Sequence, residues 1–483
     1  MVPSDKRSTA GCRVVYFIIN FRARITNPRF KGLGRWVHGF PGAEKLMART
    51  LKRFCKFKLF FCHLHCNDLK FCIFFIISTD YKSALFRYKS ALFRAIRVIR
   101  AIVTKKFPYL CKASFMRKQL SFWLPLVFIS LIFNSCTVGR FVYYNFANIT
   151  DHKIFPERKL VADSVKFIYK MRAVPKPPKS ISYNGVEKSF NDFLDASETV
   201  AFLIIKNDSI YYEKYLNGYA QDDIIASFSM AKSVTSILIG CALDDKLIQS
   251  VDEPVTNYIP ELKENGLEKL TIRHLLQMMS GVRFDESYSN PFGDAATYYY
   301  GRDLRKAVGK RKLRTAPGTE FAYSSGDTQM LGMVLERALK GKTITAYLQE
   351  KIWTPLGMEY DASWSLDKKE NGLEKTFCCL NGRARDFSKI GRLYLNKGNW
   401  NGKQIVSEAW VKESTVADTM KGQPSFYKYQ WWLPNAKGDF IAEGILGQFV
   451  YVNPRSNVIL VRLGKSSGNI DWAVVLENLS EKY

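Results

Sequence analysis

The sequence predicts an α+β fold: an antiparallel β-sheet built from strands near both ends of one domain, flanked by helices, with a mainly helical insert. Three observations carry this. Residues 199–218, TVAFLIIKNDSIYYEKYLNG, are two β-rich runs around an Asn207-Asp208 turn, the pattern of a hairpin. Residues 447–464, GQFVYVNPRSNVILVRLG, are a second hairpin turning at NPRSN. The stretch between them is mostly helical, punctuated by Gly and Pro. The hairpins at the two ends therefore combine into one sheet around the helical stretch. A domain over residues 189–483, roughly 300 residues long, buries a large core.

The front of the chain differs from the rest. The protein has 483 residues and a formal charge of +28. Residues 1–115 hold 24 Lys and Arg against 4 Asp and Glu, which leaves 48 against 40 for residues 116–483. The excess basicity is therefore local, and the body of the chain lacks the charge of a nucleic-acid binder. Six of the ten cysteines, Cys12, Cys55, Cys62, Cys66, Cys72 and Cys111, also lie in this first part. They form no disulfide framework. The run CHLHC, with Cys62, His63, His65 and Cys66, lacks the second spaced pair that a zinc site needs, so no metal is expected there. Residues 81–94, YKSALFRYKSALFR, repeat seven residues twice in a background without periodicity, as duplicated DNA does.

Residues 116–136, MRKQLSFWLPLVFISLIFNSC, open with Arg117 and Lys118, continue as an apolar stretch too short for an ordinary membrane span, and end in small and polar residues before Cys136. This resembles a bacterial lipoprotein signal with a loose lipobox, FNSC. The resemblance implies that Cys136 is lipidated and becomes the first residue of the mature protein, which then faces the periplasm or outer membrane of the cell envelope. A signal must be N-terminal to work, so translation is expected to start at Met116, with residues 1–115 a spurious or disordered extension. The competing reading is a genuine basic domain followed by a membrane helix. Residues 137–188 are expected as a tether and lead-in, Pro-rich at AVPKPPKS.

Two histidines follow residue 136: His152 in the lead-in, and His274 in a helical apolar pattern where a packed structural role is expected. A Ser-His-Asp triad is thus poorly supplied, and a serine nucleophile here needs another base. Lysine serves when its pKa is lowered by burial or a neighbouring cation. Ser229 and Lys232, in SMAK, are spaced to share one face of a helix. A serine in a first helical turn also sits at the positive end of the helix dipole, which favours a developing oxyanion. The same spacing recurs in SLDK at 365–368 and SFYK at 425–428, but only SMAK opens an apolar run, VTSILIGCAL. Residues 317–341, PGTEFAYSSGDTQMLGMVLERALKG, then place Tyr323 on a loop just before an amphipathic helix.

The order Ser-Lys, then Tyr, then a Gly-containing terminal strand resembles the β-lactamase/transpeptidase-like serine hydrolases. The likeness runs from about residue 198 to the end and is greatest to the class C branch. That branch includes β-lactamases, D,D-carboxypeptidases, family VIII esterases and 6-aminohexanoate-dimer hydrolases. Further stretches that carry it are LTIRHLLQMMSGV, YSSGDTQMLG, IWTPLGM and RARDFSKIGRLYL. The resemblance implies that Ser229 is acylated, that Lys232 lowers the cost of deprotonating it and shuttles the proton, and that Tyr323 acts as general base or acid on nucleophile and leaving group. It also implies an oxyanion hole made by the backbone N–H groups of Ser229 and Gln448. Two departures stand out. Ser325 replaces an amide after Tyr323, and Ile445-Leu446-Gly447 stands where a cation precedes the glycine in relatives. Both count against efficient β-lactam hydrolysis and fit the esterase and amidase branch.

Around this set, Ser325, Ile445, Gly447 and Trp432 are read as contacts to substrate, with Trp431-Trp432 either walling an acyl pocket or simply packing. Cys378 and Cys379 are expected as buried free thiols, and Asp386 and Arg392 as structural charges. No phosphate loop or paired metal-ligand motif occurs in the body, so no cofactor or metal is expected. The expectation is a cell-envelope serine hydrolase of small esters or amides. It is held at the membrane by lipid on Cys136 and has no nucleic-acid partner. The alternatives are a D,D-peptidase or weak β-lactamase acting on cell-wall peptides, and a catalytically lapsed module that only binds such ligands.

Overall fold

The computed structural model describes residues 137–144, 146–183, 185–418 and 422–483, and the backbone of two short strands, Phe60–Phe61 and Ile73–Phe74. The expectations for residues 1–115 with the CHLHC cluster and the tandem repeat, for the signal at 116–136 and for Cys136 fall outside the described residues. The chain divides into two units, Met1–Trp123 and Leu124–Tyr483. In the first, the two short strands pair antiparallel, Phe60 opposite Phe74.

The second unit is built on an eight-stranded sheet. Its strands are β1 Lys170–Met171, β2 Thr199–Lys206, β3 Ser209–Tyr215, β4 Tyr427–Lys428, β5 Trp431–Trp432, β6 Phe440–Gly444, β7 Gln448–Asn453 and β8 Val458–Gly464. Across the sheet they run β4-β5-β6-β7-β8-β2-β3-β1. All neighbours are antiparallel except β1 with β3. Both hairpins form where the sequence places them. At the β2–β3 turn, Asn207 and Asp208 have φ of 47° and 57°, the left-handed pair that a two-residue hairpin needs and that Asn and Asp tolerate. The C-terminal β8 pairs with the N-terminal β2, Val461 opposite Leu203, so the two ends of the domain close the sheet.

Both faces of the sheet are covered, which is why β2 and β8 are apolar on both faces instead of alternating, with buried Arg462 the one charge inside β8. Phe202, Ile204, Ile441, Phe449 and Leu460 pack under the helices Phe190–Ala196 and Trp472–Ser480. Ala201, Leu203, Ala442, Val450 and Val461 join the larger core on the other side. That core contains the helices α1 Met230–Asp244, α2 Ser325–Ala338 and α3 Ala384–Leu395. Every residue of α1 from Met230 to Ala242 is buried, the polar Lys232, Ser233, Thr235 and Ser236 included.

The lead-in does more than tether. Glu157–Leu160 pairs with Ala362–Ser365 in a second sheet that also takes in Leu380–Gly382 and Ile225–Ala226. It supplies an edge strand, so part of the expected linker is folded domain. Cys378 and Cys379 also depart from expectation: they are buried but bonded to each other, so neither is a free thiol. Adjacent cysteines reach each other only when the backbone turns sharply, and Cys379 has φ 69°. Asp386 and Arg392 are structural, as read. Asp386 accepts from the N–H groups of Glu359 (2.7 Å) and Tyr360 (3.2 Å) and from Lys389 Nζ (3.2 Å). Arg392 donates to both carboxylate oxygens of Asp208 (2.7 and 2.6 Å), tying α3 to the β2–β3 turn.

Where α3 crosses the sheet, Gly391 permits the approach. A Cβ there would lie 2.8 Å from Val450 Cγ1 and 3.1 Å from Ile459 Cγ2. Gly391→Val is expected to destabilise the domain by about 1–3 kcal/mol through overpacking. The loss should outweigh the gain in helix propensity of Val over Gly, on the order of a few tenths of a kcal/mol. Urea unfolding would measure it; an unchanged or raised midpoint would contradict this account of the layer contact.

Candidate active site

Ser229 is the N-cap of α1. The residue before it, Phe228, has φ 45°, a left-handed conformation that costs energy for a bulky side chain and turns the chain sharply out of Ile225–Ala226 into the helix. Between Ile225 and Ala242, Ser229 is the only position that is not fully buried. The tight first turn is closed by Lys232 N–H donating to Ser229 O (2.9 Å). Among the described residues, no acceptor takes the Ser229 N–H itself.

Lys232 sits one turn on, 2% exposed. Its Nζ donates to Ser229 Oγ (3.1 Å), Ser325 Oγ (3.1 Å) and Phe377 O (2.9 Å). It also lies 5.1 Å from the centre of the Tyr323 ring. Burial pulls its pKa down to about 8, against the opposing charges of Glu286 and Asp327. A lysine in this state is a competent base near neutral pH.

Tyr323 lies on the loop before α2, within electrostatic reach of Ser229. Its ring stacks on Trp432 at 5.5 Å and meets Tyr427 edge-on at 6.2 Å. Burial raises its pKa, and the charges of Glu286 and Glu443 add to that against the opposing influence of Ser229. The phenol therefore keeps its proton. Ser324 caps α2 by accepting from Asp327 N–H (3.2 Å), and so fixes where the loop enters the helix.

Ser325 links two groups. It receives the bond from Lys232, and its own N–H and Oγ donate to Glu286 at 2.7 and 2.6 Å. Glu286 also accepts from Tyr288 OH (2.7 Å). Sequence reasoning missed Glu286, which lies in a loop of unpredictable shape and belongs to no motif. It also missed Phe377 O, because no residue type announces a carbonyl contact.

The hairpin β6–β7 closes the site. A Cβ on Gly444 would lie 2.4 Å from Ser227 O and 3.1 Å from Ser229 N, so glycine alone lets β6 press against the nucleophile's backbone. Ile445, Leu446 and Gly447 form the turn rather than a strand, Leu446 at φ 64° and Gly447 at φ 81°. Gln448 pairs with Gly444 across the hairpin. Its side-chain amide donates to Ile445 O (3.3 Å) and Gly464 O (2.7 Å), which braces the turn. Ser229, Lys232, Tyr323, Ser325 and Trp432 are thus brought together, with the turn residues Ile445 and Gly447 and the hairpin residue Gln448 beside them. Trp431 instead packs in the core against Tyr394 at 4.5 Å. His274 forms a capping box with Thr271, a structural role. Among the described residues, no hydrogen bond joins either of the other two serines at the Ser-x-x-Lys spacing to its lysine: Ser365 is buried at a strand end, and Ser425 lies in an exposed loop. Among the described residues, no group of three or more His, Cys, Asp or Glu is arranged to hold a metal.

Residues 186–474 match the Beta-lactamase family. The chain is 28% identical to the 6-aminohexanoate-dimer hydrolase of Paenarthrobacter ureafaciens over 291 residues, 56% of this chain and 73% of that protein. A provisionally named 6-aminohexanoate-dimer hydrolase from Bacillus anthracis superposes with a TM-score of 0.62 at 23% identity, over 69% of this chain and 93% of that one. The penicillin binding protein from Bacillus halodurans does so with a TM-score of 0.50 at 19% identity, over 61% and 99%. These two likenesses establish the fold.

The electrostatics give a signed prediction. Glu286 raises the pKa of Lys232, so its removal lowers it. In protein labelled at lysine Cε, the Lys232 resonance should titrate near pH 8, and in Glu286→Gln at a lower pH. A midpoint that stays or rises would show that Glu286 does not act on the lysine.

Proposed function

The chain belongs to the Beta-lactamase family and is a serine hydrolase, and on that premise we propose that it cleaves a small ester or amide through an acyl-enzyme on Ser229. One observation supports this reading above the others: the 3.1 Å contact between Ser229 Oγ and a buried lysine of lowered pKa. Ser229 Oγ attacks the carbonyl carbon and gives its proton to neutral Lys232. The carbonyl oxygen takes the negative charge, held by the Ser229 N–H and by the hairpin. Gly444's contact with the Ser229 backbone is what brings that hairpin near enough. Gln448, its ladder partner, remains the proposed second donor. A backbone donor of this kind is worth about 3 kcal/mol in the transition state.

Tyr323 is poised as an acid. Held as the neutral phenol, it protonates the leaving alcohol or amine and recovers a proton from Lys232, which lies beside its ring. Water then attacks the acyl carbonyl, loses its proton to the same groups, and frees Ser229. The lack of a cation in the Ile445-Leu446-Gly447 turn favours esters and amides over β-lactams, whose carboxylate finds no partner there. No cofactor is part of this route. We also propose that lipid on Cys136 holds the enzyme to the membrane of the cell envelope, facing the periplasm, with a small substrate as its partner and no nucleic acid. Intact mass of native protein tests this: a diacylated Cys136 is expected, and peptides from residues 1–115 would overturn it.

The reaction is tested with p-nitrophenyl acetate and butyrate beside nitrocefin and a D-Ala-D-Ala peptide. Ester turnover is expected to fall by ~10⁴-fold or more in Ser229→Ala and by about 10²–10⁴-fold in Lys232→Ala. In the wild type kcat/KM should rise with pH to a plateau above about 8, as Lys232 loses its proton. Turnover that survives Ser229→Ala would sink the mechanism. Dominant activity on nitrocefin or the peptide would move the substrate to cell-wall chemistry.

A further inference from the structure

The bond between Cys378 and Cys379 adjoins the residue that holds Lys232. Phe377 O accepts from Lys232 Nζ at 2.9 Å, and the Phe377 ring lies 5.8 Å from the same nitrogen. The lysine's other two acceptors are the hydroxyls of Ser229 and Ser325, which turn about their own side-chain bonds. A carbonyl has no such freedom, so its aim is set by the backbone on either side of it. Upstream, that backbone is tied to both helices of the site. Thr376 O accepts from Thr235 Oγ1 of α1 (3.0 Å), and Thr376 Oγ1 donates to Thr328 O of α2 (3.0 Å). Downstream come the two cysteines, both buried, and then the strand Leu380–Gly382.

A disulfide usually stabilises a protein by closing a long loop of the unfolded chain. One between neighbours closes no such loop, and its constraint falls on the peptide that it spans. Here that peptide leads into Cys379, held at φ 69°, a left-handed conformation that a side chain disfavours. The cysteine carbonyls are engaged by the strand Ala362–Ser365: Cys378 O accepts from Trp364 Nε1 (3.1 Å) and Cys379 O from Ser365 N–H (3.0 Å). The peptide that carries Phe377 O is the next one back, and its N–H, that of Cys378, donates to Lys375 O (3.0 Å). With the bond broken, Cys379 is free to leave the left-handed region, and the turn that aims Phe377 O loses its clamp. The charges that face Lys232, Glu286 and Asp327, lie on other segments, as does the neutral Tyr323 beside it. The Lys375 ammonium is held elsewhere, by Tyr298 O (3.0 Å) and Tyr299 O (2.8 Å). A change at the two cysteines therefore reaches the base through Phe377.

We propose that the Cys378–Cys379 bond is a positioning element for the reaction: it aims Phe377 O at Lys232, so that the proton affinity of the base depends on whether the two cysteines are joined. This rests on the reading of Lys232 as the base and adds its regulation. A carbonyl that accepts from an ammonium stabilises the charged form, so its loss moves the lysine's pKa further down. The group is then neutral at lower pH but is a weaker base. An oxidising compartment, such as the cell envelope proposed above, keeps the bond closed. A dithiol reductant opens it: the dithiol is oxidised to its own disulfide, and its two electrons and two protons break the Sγ–Sγ bond and leave Cys378 and Cys379 as thiols.

The tryptic peptide of residues 376–383, TFCCLNGR, contains both cysteines and no other. From full-length protein isolated without reductant, it is expected to take up no alkyl group before reduction and two after it. Two before reduction would overturn the proposal. The Lys232 Cε resonance is then titrated in wild type and in Cys378→Ser/Cys379→Ser. The midpoint near pH 8 should move down in the variant, with about a tenfold loss of proton affinity, roughly what a hydrogen bond to a charged group is worth. Wild type reduced with dithiothreitol, its reduction verified on the same peptide, should titrate like the variant and return on reoxidation. Cys378→Ala/Cys379→Ala gives the same reading should the serine variant fail to fold. Lost stability alone leaves this midpoint in place, so a midpoint that stays or rises in any folded form lacking the bond would overturn the positioning role. Turnover of p-nitrophenyl butyrate judges the hydrolase reading separately: absent Ser229-dependent turnover rejects that reading while the midpoint still decides the role of the two cysteines.

Discussion

Taking the ammonium of Lys232 out of water is the constraint on which the rest of the site depends. An unpaired buried charge costs several kcal/mol, so the fold has to supply acceptors. It draws them from three places: Ser229 one turn back, Ser325 at the start of α2, and Phe377 O near the second sheet. Only a packed domain brings positions 232, 325 and 377 together. The same burial lowers the lysine's pKa to about 8, so the energy spent on hiding the charge is also what makes the group a base.

The opposing charges explain the division of labour. Glu286 reaches the lysine through Ser325 and keeps its pKa from falling further. Burial disfavours the tyrosinate, and Glu286 and Glu443 add to it, so Tyr323 stays a neutral acid while the lysine becomes the base. Ser325 with Glu286 stands after the tyrosine, and the Ile445-Leu446-Gly447 turn carries no positive charge. With Glu286, Glu443 and buried Asp327 around one lysine, the site is electrostatically unlike one built to receive a carboxylate.

Much of this was legible beforehand because it is local. The spacing of Ser229 and Lys232, the apolar run behind them and the Tyr323 loop before α2 are short-range patterns set by helix geometry. The two hairpins announced themselves through Asn207-Asp208 and NPRSN. The features that were not legible are long-range or lie in irregular loops. The lead-in read as a tether because Glu157–Leu160 pairs with Ala362–Ser365, some two hundred positions away. Cys378 and Cys379 read as thiols because the turn that joins them leaves no trace in residue type. The turn at Ile445-Leu446-Gly447 read as strand because apolar residues at a tight turn look like strand residues.

The sequence by itself determined the α+β class, the sheet's two hairpins, the order of Ser229, Lys232 and Tyr323, and the absence of a histidine base, because each follows from neighbours a few residues apart. Only the tertiary structure decided that the lysine is desolvated, that Glu286 stands behind Ser325, that Gly444 touches the nucleophile's backbone and that Cys378 is bonded to Cys379 beside the lysine's carbonyl acceptor. Those facts depend on burial and on contacts between distant segments. Burial and long-range contact are what convert a spacing of residue types into a set of proton affinities.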